Sequence, residues 1–315
     1  MPADWQNDLR QIKSDRRSGA SVLLGRGIEA GRQFLGATRR FPPRRLEAAL
    51  KRFTLGLVRA QPSMAPILRL ANELWLAWEA CPSPSSAWES LHDALVHSSE
   101  GVDRALRETV GRAGALVRPG SLVLTYSSST AVRLALWQAM ADGKKFTVVC
   151  SESRPMGEGV GLARGLTALG IPVHLTLDVA LLEWIERADL VLLGADAILP
   201  GGVVNKVGSG PLLQVARLAG VPAYVLADSS KWLPEGLTRF WRIRREAPGQ
   251  ITRLRHPDLT VHNRYFGISP LGAMRGLVWE GGIAPPAEVK RRIGKVRVST
   301  SLVEYLNGCQ VPGAR

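Results

Sequence analysis

Between residues 121 and 227, short apolar segments alternate with longer segments whose apolar residues recur at every third or fourth position. The short segments have the length and composition of strands that are covered on both faces, and the longer segments have the periodicity of helices. Strands and helices that alternate at this spacing form right-handed βαβ units around a parallel sheet. The predicted strands are 121–126, 145–150, 171–177, 189–194 and 221–227, and the predicted helices are 130–141, 159–169, 179–187 and 211–219.

The sequence before residue 118 has a different pattern, because helical periodicity continues through it without strand-like segments. Ser18 or Ser21 is the predicted N-cap of an early helix. We therefore predict an α/β chain with an N-terminal helical domain over residues 1–118 and a parallel-sheet domain over residues 119–315 that carries the site. Further helices are predicted over 43–60, 64–79 and 87–113 and, near the C-terminal end, around 271–280.

The composition limits the classes of partner. A formal charge of +14, from 41 Lys and Arg against 27 Asp and Glu, favours an anionic partner such as a sugar phosphate, a nucleotide or a nucleic acid. Nucleic acid is the weakest of these, because no basic run with interleaved aromatic residues marks such a surface. Three widely spaced cysteines and five scattered histidines predict neither a metal site nor a disulfide framework. Without a signal peptide or a membrane-length apolar segment, we expect a cytoplasmic protein with no membrane partner.

The segment from 189 to 209 is the first candidate site. Its predicted strand delivers Asp196 to the carboxyl end, and Asn205 and Lys206 follow before a helix begins at Gly208-Ser209. Backbone N–H groups at such a helix start can hold an anion, and parallel sheets bind ligands beyond the carboxyl ends of their strands. The segment thus indicates an acid/base carboxylate beside a phosphate cradle. The alternative is an ordinary strand–loop–helix with a capping Asp, which the segment taken alone slightly favours.

Other polar residues follow the neighbouring predicted strands. Arg154 and Lys206 are candidates for a phosphate clamp, and Asp178 joins Asp196 as a candidate for proton transfer or for binding sugar hydroxyls. Charged residues after strands are also common in ordinary loops, so each one alone has a structural alternative. No Walker loop, Gly-x-Ser-x-Gly or GxGxxG motif is present in the strand context that such motifs need, which argues against nucleotide hydrolysis, serine hydrolase and dinucleotide functions.

Several motifs together resemble one superfamily. They are Arg17-Ser-Gly-Ala20, Glu152-Ser-Arg-Pro155, Gly194-Ala-Asp196, Gly202-Val-Val-Asn205-Lys206-Val-Gly208, Val225-Leu-Ala-Asp228-Ser-Ser-Lys231 and His256-Pro-Asp-Leu-Thr-Val261. The superfamily contains the alpha, beta and delta subunits of translation initiation factor 2B, ribose-1,5-bisphosphate isomerase and methylthioribose-1-phosphate isomerase. The resemblance implies a helical N-terminal domain followed by a Rossmann-like domain, a homodimer or higher homo-oligomer, a phosphorylated sugar or nucleotide as ligand, and no cofactor.

The resemblance also implies roles for single residues. The aspartate of the isomerases falls on Asp196, and the cysteine of their Thr-His-Cys motif falls on Ser127. Their substrate and phosphate ligands fall on Arg17, Gly19, Ala20, Ser129, Arg154, Asn205, Lys206, Gly208 and Ser209.

The sequence also departs from the isomerase pattern. A phosphate-binding Gln is replaced by Glu158, which would repel phosphate unless it turned away. A serine hydroxyl without a base transfers protons much less readily than a thiol does. The nearby Cys150 could present a thiol to the same pocket, although its apolar neighbours favour an inert buried cysteine.

Two functions follow from these observations. In the first, the protein isomerises an aldose 1-phosphate, of the ribose 1,5-bisphosphate or methylthioribose 1-phosphate type, to a ketose phosphate. Asp196 would then transfer the proton, and Ser127 would be an auxiliary hydroxyl. In the second, the protein is a non-catalytic regulatory member, like the initiation factor 2B subunits, and senses a sugar phosphate or nucleotide. Ser127 favours the second function, whereas the retained acid and phosphate residues fit both.

Overall fold

The computed structural model describes residues 5–15, 18–309 and 311. These residues divide into two compact units, and the division falls inside one long helix, between Arg104 and Ala105. The predicted domain boundary near residue 118 stays a prediction. The first unit takes in the described residues of Met1–Arg104, Ser230–Arg242 and Arg292–Arg315, and the second unit takes in Ala105–Ser229 and Ile243–Arg291.

The α-helices confirm most of the helical predictions. In chain order they are α1 (Trp5–Ser14), α2 (Ala20–Thr38), α3 (Pro43–Ala60), α4 (Ala65–Ala80), α5 (Ala87–Leu116), α6 (Thr130–Ala141), α7 (Glu158–Ala168), α8 (Ser209–Leu218), α9 (Glu235–Thr238), α10 (Pro286–Ile293) and α11 (Thr300–Gly308). The N-cap prediction for α2 is wrong, because Gly19 occupies that position and contributes no side-chain hydrogen bond.

The first unit is a bundle of helices around an aromatic centre. The rings of Phe34 and Phe53 stack with 4.6 Å between their centroids, and Trp5 packs edge-on against both. Helix α11 is fixed to α4 by hydrogen bonds rather than by apolar contact alone. The Ser299 hydroxyl donates to Glu79 Oε1 at 2.7 Å, and the Ser299 N–H donates to Asn72 Oδ1 at 2.9 Å.

The second unit contains a mostly parallel sheet, as the alternating pattern predicts. In chain order the strands are β1 (Leu122–Thr125), β2 (Thr147–Ser151), β3 (Val173–Thr176), β4 (Leu190–Gly194), β5 (Ala197–Leu199), β6 (Gly202–Lys206), β7 (Ala223–Leu226), β8 (Phe266–Ser269), β9 (Gly276–Trp279) and β10 (Gly282–Ala284). In the described part of the chain, seven of them form one sheet in the order β10-β9-β7-β4-β1-β2-β3. Neighbouring strands are parallel except β9 and β10.

The strand order reverses between β1 and β4, as it does in Rossmann-like sheets. From β1 the chain moves outward to β2 and β3, then returns to place β4 on the other side of β1. Helices cover the sheet, and their apolar faces join the strands in a buried core that includes Val148, Leu192 and Leu136. Ligands bind in the crevice outside the carboxyl ends of the strands at such a reversal.

One helix prediction for this unit is wrong. The segment 271–280 is not a helix, because it forms a short 3-10 turn (Leu271–Ala273) and then strand β9, which is buried beside β7. The predicted helix over 179–187 is present and is a 3-10 helix (Ala180–Arg187). Asn205 and Lys206 lie on a strand, since β5, β6 and β8 form a small antiparallel sheet that the sequence analysis does not predict.

No helix among the described residues is both long enough and apolar enough to span a membrane.

Candidate active site

Ser127 and Asp196 follow the two strands between which the strand order reverses. Thr125 of β1 pairs with Leu192 of β4, so the carboxyl ends of these strands lie side by side. Asp196 is half-buried, and its backbone N–H donates to the Val204 carbonyl at 2.8 Å, which ties the end of β4 to β6. The two residues predicted to be catalytic, Asp196 and Ser127, therefore follow neighbouring strands at one edge of the sheet.

The backbone at Ser127 is held in an uncommon conformation. Ser127 has φ 66°, in the left-handed region that non-glycine residues rarely adopt. Ser153, which follows the neighbouring strand β2, has φ 64° and is fully buried. The Ser127 N–H donates to Ser153 Oγ at 3.0 Å, so the two strained residues support each other. Such strain costs about 1–3 kcal/mol per residue and is concentrated at functional sites.

The Ser127 hydroxyl and the Lys206 ammonium meet on one carboxylate. Glu158 Oε1 accepts hydrogen bonds from Ser127 Oγ and from Lys206 Nζ, each at 2.8 Å. Glu158 Oε2 is buried and has no hydrogen-bond partner among the described residues. Glu158 therefore does not turn away from the site. It lies at the centre of a serine–glutamate–lysine cluster.

The close packing of α7 against β2 fixes the position of Glu158. Glu158 is the first residue of α7, where a carboxylate is favoured by the helix dipole. The next residue is Gly159, and a Cβ atom there would lie 1.8 Å from the Ser151 carbonyl oxygen. A glycine at 159 is thus needed to let the helix start this close to the strand.

Lys206 is buried and already paired. Its side chain is only 4% exposed, its Nζ forms the ion pair with Glu158, and it lies 5.3 Å from the centre of the Tyr265 ring. A lysine that binds phosphate directly would offer an uncompensated positive charge. The role of Lys206 in a phosphate clamp therefore stays a prediction, with Glu158 as a competitor for the same ammonium.

The turn between β6 and α8 is preformed. The Asn205 side-chain amide donates to Ser209 Oγ at 3.0 Å. Gly208 has φ 105°, and a Cβ atom there would lie 2.8 Å from the Tyr126 hydroxyl, which donates to the Val207 carbonyl. Because the first N–H groups of a helix lack partners inside the helix, the start of α8 can accept an anion.

Asp178 has a positioning role for the loop after β2. Its carboxylate accepts hydrogen bonds from Ser151 Oγ at 2.7 Å and from the backbone N–H groups of Ser153 and Arg154 at 2.7 and 2.8 Å. These contacts fix the loop that carries the exposed Arg154.

Burial raises the pKa of the Tyr126 phenol, and the charges of Asp178 and Glu158 raise it further. The Tyr126 hydroxyl is therefore a permanent hydrogen-bond donor at neutral pH.

The remaining predicted ligands occupy three different settings. Ser129 is the N-cap of α6, and its side chain fills the space beside Gly194, where a Cβ atom would lie 2.4 Å from it. Gly19 and Ala20 belong to the first unit, at the start of α2. Arg17 lies outside the described residues.

Cys150 is part of the hydrophobic core. It is fully buried, and burial raises the pKa of its thiol to about 11. Such a thiol stays protonated at neutral pH and is a poor proton acceptor. Among the described residues, no group of three or more His, Cys, Asp or Glu side chains is arranged to hold a metal ion.

The central place of Glu158 was not predicted from the sequence, which marks it only as a departure from the isomerase pattern. Its contacts come from residues 31 positions before it and 48 positions after it, as the numbers of Ser127 and Lys206 show. One signal was available: Glu158 and Ser127 are both departures, and they occur together.

Known proteins with similar sequences support the resemblance. The model of the Initiation factor 2 subunit family matches residues 27–286. A putative translation initiation factor eIF-2B subunit 2-like protein of Pyrococcus horikoshii is 28% identical over 288 residues, which cover 90% of this chain and 97% of that protein. A ribose 1,5-bisphosphate isomerase of Methanocaldococcus jannaschii is 29% identical over 199 residues, which cover 61% of this chain and 65% of the isomerase.

The fold comparison agrees with these matches. The crystal structure of the translation initiation factor eIF-2B of Pyrococcus horikoshii OT3 superimposes with a TM-score of 0.77 at 27% identity, and the match covers 93% of this chain and all of that one. Because the family model matches most of the sequence and the fold agrees, the chain belongs to the initiation factor 2 subunit family.

Proposed function

We propose that this protein isomerises an aldose 1-phosphate, of the ribose 1,5-bisphosphate or methylthioribose 1-phosphate type, to a ketose phosphate. The placement of Ser127 and Asp196 after β1 and β4, on either side of the strand-order reversal, carries this proposal. The similarity to the ribose 1,5-bisphosphate isomerase adds support. In this proposal the reaction takes place in the crevice outside the carboxyl ends of these two strands.

The chemistry explains why an acid is needed there. A phosphate on the anomeric oxygen blocks simple ring opening, so the ring oxygen must receive a proton while the bond between that oxygen and C1 breaks. Asp196 is the proposed donor of this proton. A second proton then moves from C2 to C1, and the Ser127 hydroxyl is close to this transfer in the proposal.

Phosphate binding is proposed for residues around the same crevice. Arg154, on the loop after β2, can approach a phosphate in forked geometry, and the N–H groups at Gly208 and Ser209 can hold its oxygens. Asn205 and Ser129 have protein partners and would bind ligand by exchanging them or by shaping the turn. Lys206 would stay paired with Glu158 and add positive charge near the phosphate. Arg17, Gly19 and Ala20 stay proposals from the resemblance.

The test is turnover by the purified protein. We expect ketose formation from ribose 1,5-bisphosphate or methylthioribose 1-phosphate, followed by NMR. Asp196→Asn should lower turnover by a factor of about 10²–10⁴. It should keep the thermal stabilisation that the ligand gives. No turnover on any aldose 1-phosphate would refute the proposal.

Asp189→Asn is the matched control. Asp189 precedes the same strand, and its Oδ2 accepts from the Leu122 N–H at 2.8 Å, at the amino edge of the sheet. This substitution therefore makes the same chemical change on β4 at the end opposite to the proposed site. Turnover should be unchanged by it.

The second candidate is a non-catalytic regulatory protein that binds a sugar phosphate or nucleotide. The ion pair between Glu158 and Lys206 favours it, because it neutralises a charge that a phosphate would use. The eIF-2B subunit 2-like relative, which matches over 97% of its length, also favours it. Ligand-dependent thermal stabilisation without turnover would support this function over the first.

We also propose a homodimer or higher homo-oligomer, as the resemblance implies. Light scattering of the purified protein would give the mass of the assembly and would refute this proposal if only monomer were found.

The charge of +14 is also compatible with a nucleic-acid partner. Tight RNA binding that weakens steeply with salt, in a protein that binds no sugar phosphate, would favour that partner instead.

A further inference from the structure

We infer that Glu158 is the group that takes the proton of the substrate carbon, that it does so through the Ser127 hydroxyl, and that Lys206 holds its carboxylate in position. This inference rests on the proposed isomerase function. It assigns to a serine–glutamate pair the step that the resemblance gives to a cysteine.

The direction of the hydrogen bond supports this pair. Ser127 Oγ donates its only proton to Glu158 Oε1 at 2.8 Å, so the oxygen lone pairs of the hydroxyl remain for a second contact. Ser127 is half-buried and follows β1 at the edge where the proposed substrate binds. Its hydroxyl can thus accept a proton on one side while passing its own proton to the carboxylate on the other.

Lys206 gives the carboxylate one orientation. Its Nζ lies 2.8 Å from the same Oε1 that accepts from Ser127, and its side chain is almost fully buried. Two charge-assisted contacts on one oxygen restrict rotation of the carboxylate. Glu158 also interacts electrostatically with Tyr126 and Tyr265, and Tyr126 interacts with Asp178 as well. Burial raises the pKa of both tyrosines, so the two phenols stay neutral near pH 7.

The steps of the proposed reaction balance in protons and electrons. Asp196 gives its proton to the ring oxygen as the bond from that oxygen to C1 breaks. The C2–H bond then breaks, its electron pair forms the C1–C2 double bond, and its proton goes to Ser127 Oγ while the Ser127 proton moves to Glu158. In the second half, these two transfers reverse and deliver the proton to C1. The C2 hydroxyl returns its proton to Asp196 as the C2 carbonyl forms, so no oxidant or reductant is needed.

The test compares Glu158→Gln and Ser127→Ala with the wild-type protein on a substrate that the wild type turns over. We expect kcat to fall by a factor of about 10²–10⁴ in both variants, with KM changed less than about threefold. Glu183→Gln, an exposed position on the 3-10 helix of the same unit, is the control and should behave as wild type.

Two variants separate a loss of activity from a loss of folding. Ser127→Ala keeps the ion pair intact, and Glu158→Gln combined with Lys206→Met removes both charges together. Both proteins should melt cooperatively and show the same loss of kcat. A kcat within threefold of wild type in Glu158→Gln would overturn the inference while leaving the isomerase function in place. No turnover by the wild type would overturn both.

Discussion

The Glu158 carboxylate lies 2.8 Å from the Lys206 ammonium, and the lysine is the more deeply buried partner. The side chain of Lys206 is 4% exposed, whereas that of Glu158 is 27% exposed. Removal of one partner from a buried ion pair is costly because it leaves the other charge without compensation. The cost therefore depends on how well water can reach the charge that remains.

We predict that Glu158→Gln destabilises the protein more than Lys206→Met does. The first substitution leaves a buried ammonium without an anion and should cost about 2–4 kcal/mol of the free energy of unfolding. The second leaves a carboxylate that water partly reaches and should cost about 1–2 kcal/mol. Urea unfolding at neutral pH measures both values.

The double variant is the control for this prediction. Because it leaves no unpaired charge, Glu158→Gln combined with Lys206→Met should be more stable than Glu158→Gln alone. A larger loss of the free energy of unfolding in Lys206→Met than in Glu158→Gln would show that the exposed fractions of the two side chains do not determine the loss.

Gly159 should be intolerant of any side chain, although it lies on a helix where alanine is usually preferred. A Cβ atom at this position would lie 1.8 Å from the Ser151 carbonyl oxygen, so α7 or β2 must move. We expect Gly159→Ala to cost more than about 3 kcal/mol of the free energy of unfolding and to displace Glu158. Chemical unfolding checks the first effect, and the kcat of the folded fraction checks the second.

Gly161 on the same helix provides the comparison. Apart from the adjacent residues and backbone of its own helix, no heavy atom among the described residues would lie within 4 Å of a Cβ atom there. Gly161→Ala should therefore stabilise the protein by up to about 1 kcal/mol through helix propensity. Equal losses at 159 and 161 would show that close packing on β2 is not the reason for the glycine.

Much of this fold was predictable because its signals are local. The buried strands β1, β2 and β4 are short apolar segments between helices, and their periodicity alone separates the two kinds of element. The sequence predicts a helix over 271–280, but β9 is a strand because its short apolar run pairs with β7, a contact between distant parts of the sequence. The β5–β6 hairpin is not predicted for a related reason, since its partner β8 lies about 60 residues further along the chain.

The candidate site was predictable only in part. Asp196 is predicted because it follows a strand, and Ser127 is predicted through the resemblance to the isomerases. The carboxyl ends of parallel strands share one edge of a sheet, which is why both residues are expected there. The contact of Glu158 with Lys206 was not predicted, since it joins the first residue of α7 to a strand of a different sheet. Sequence spacing carries no information on such a contact, and the similarity to the isomerases indicated only that the residue type had changed.

The contact between Glu79 and the start of α11 should make stability depend on pH. Burial of the Glu79 carboxyl opposes ionisation, but hydrogen bonds from Ser299 and Ser301 outweigh it and lower the pKa of Glu79 below its ordinary value. A lowered folded-state pKa adds stability above the unfolded-state pKa, and this stability is lost as the pH falls through the folded-state value. Glu79→Gln should therefore be less stable than wild type at pH 7 and should approach wild type at acid pH.

Ser299→Ala removes the hydroxyl that donates a hydrogen bond to Glu79. Ser299 Oγ also accepts from the Leu302 N–H at 3.0 Å as the N-cap of α11, so its loss should cost about 1–2 kcal/mol. Thr300→Ala, at the exposed next position, is the control and should change stability little. Urea unfolding of the three variants at pH 7 and at acid pH tests this prediction. If the difference in stability between Glu79→Gln and wild type did not change with pH, ionised Glu79 would not be the source of the stability.

Cys150 should resist alkylation in the folded protein. Its thiol is fully buried and its pKa is raised to about 11, so at pH 8 it offers neither access nor thiolate. Iodoacetamide should label the partly exposed Cys81 and Cys309 first, and it should label Cys150 only in urea, as mass spectrometry of the peptides would show. Cys150→Ala should then keep full turnover while losing some stability, because it removes a sulfur atom from the core. Rapid labelling of native Cys150, or loss of turnover in a folded Cys150→Ala protein, would instead give the proton-transfer step to a thiol and remove the need for the Ser127–Glu158 pair.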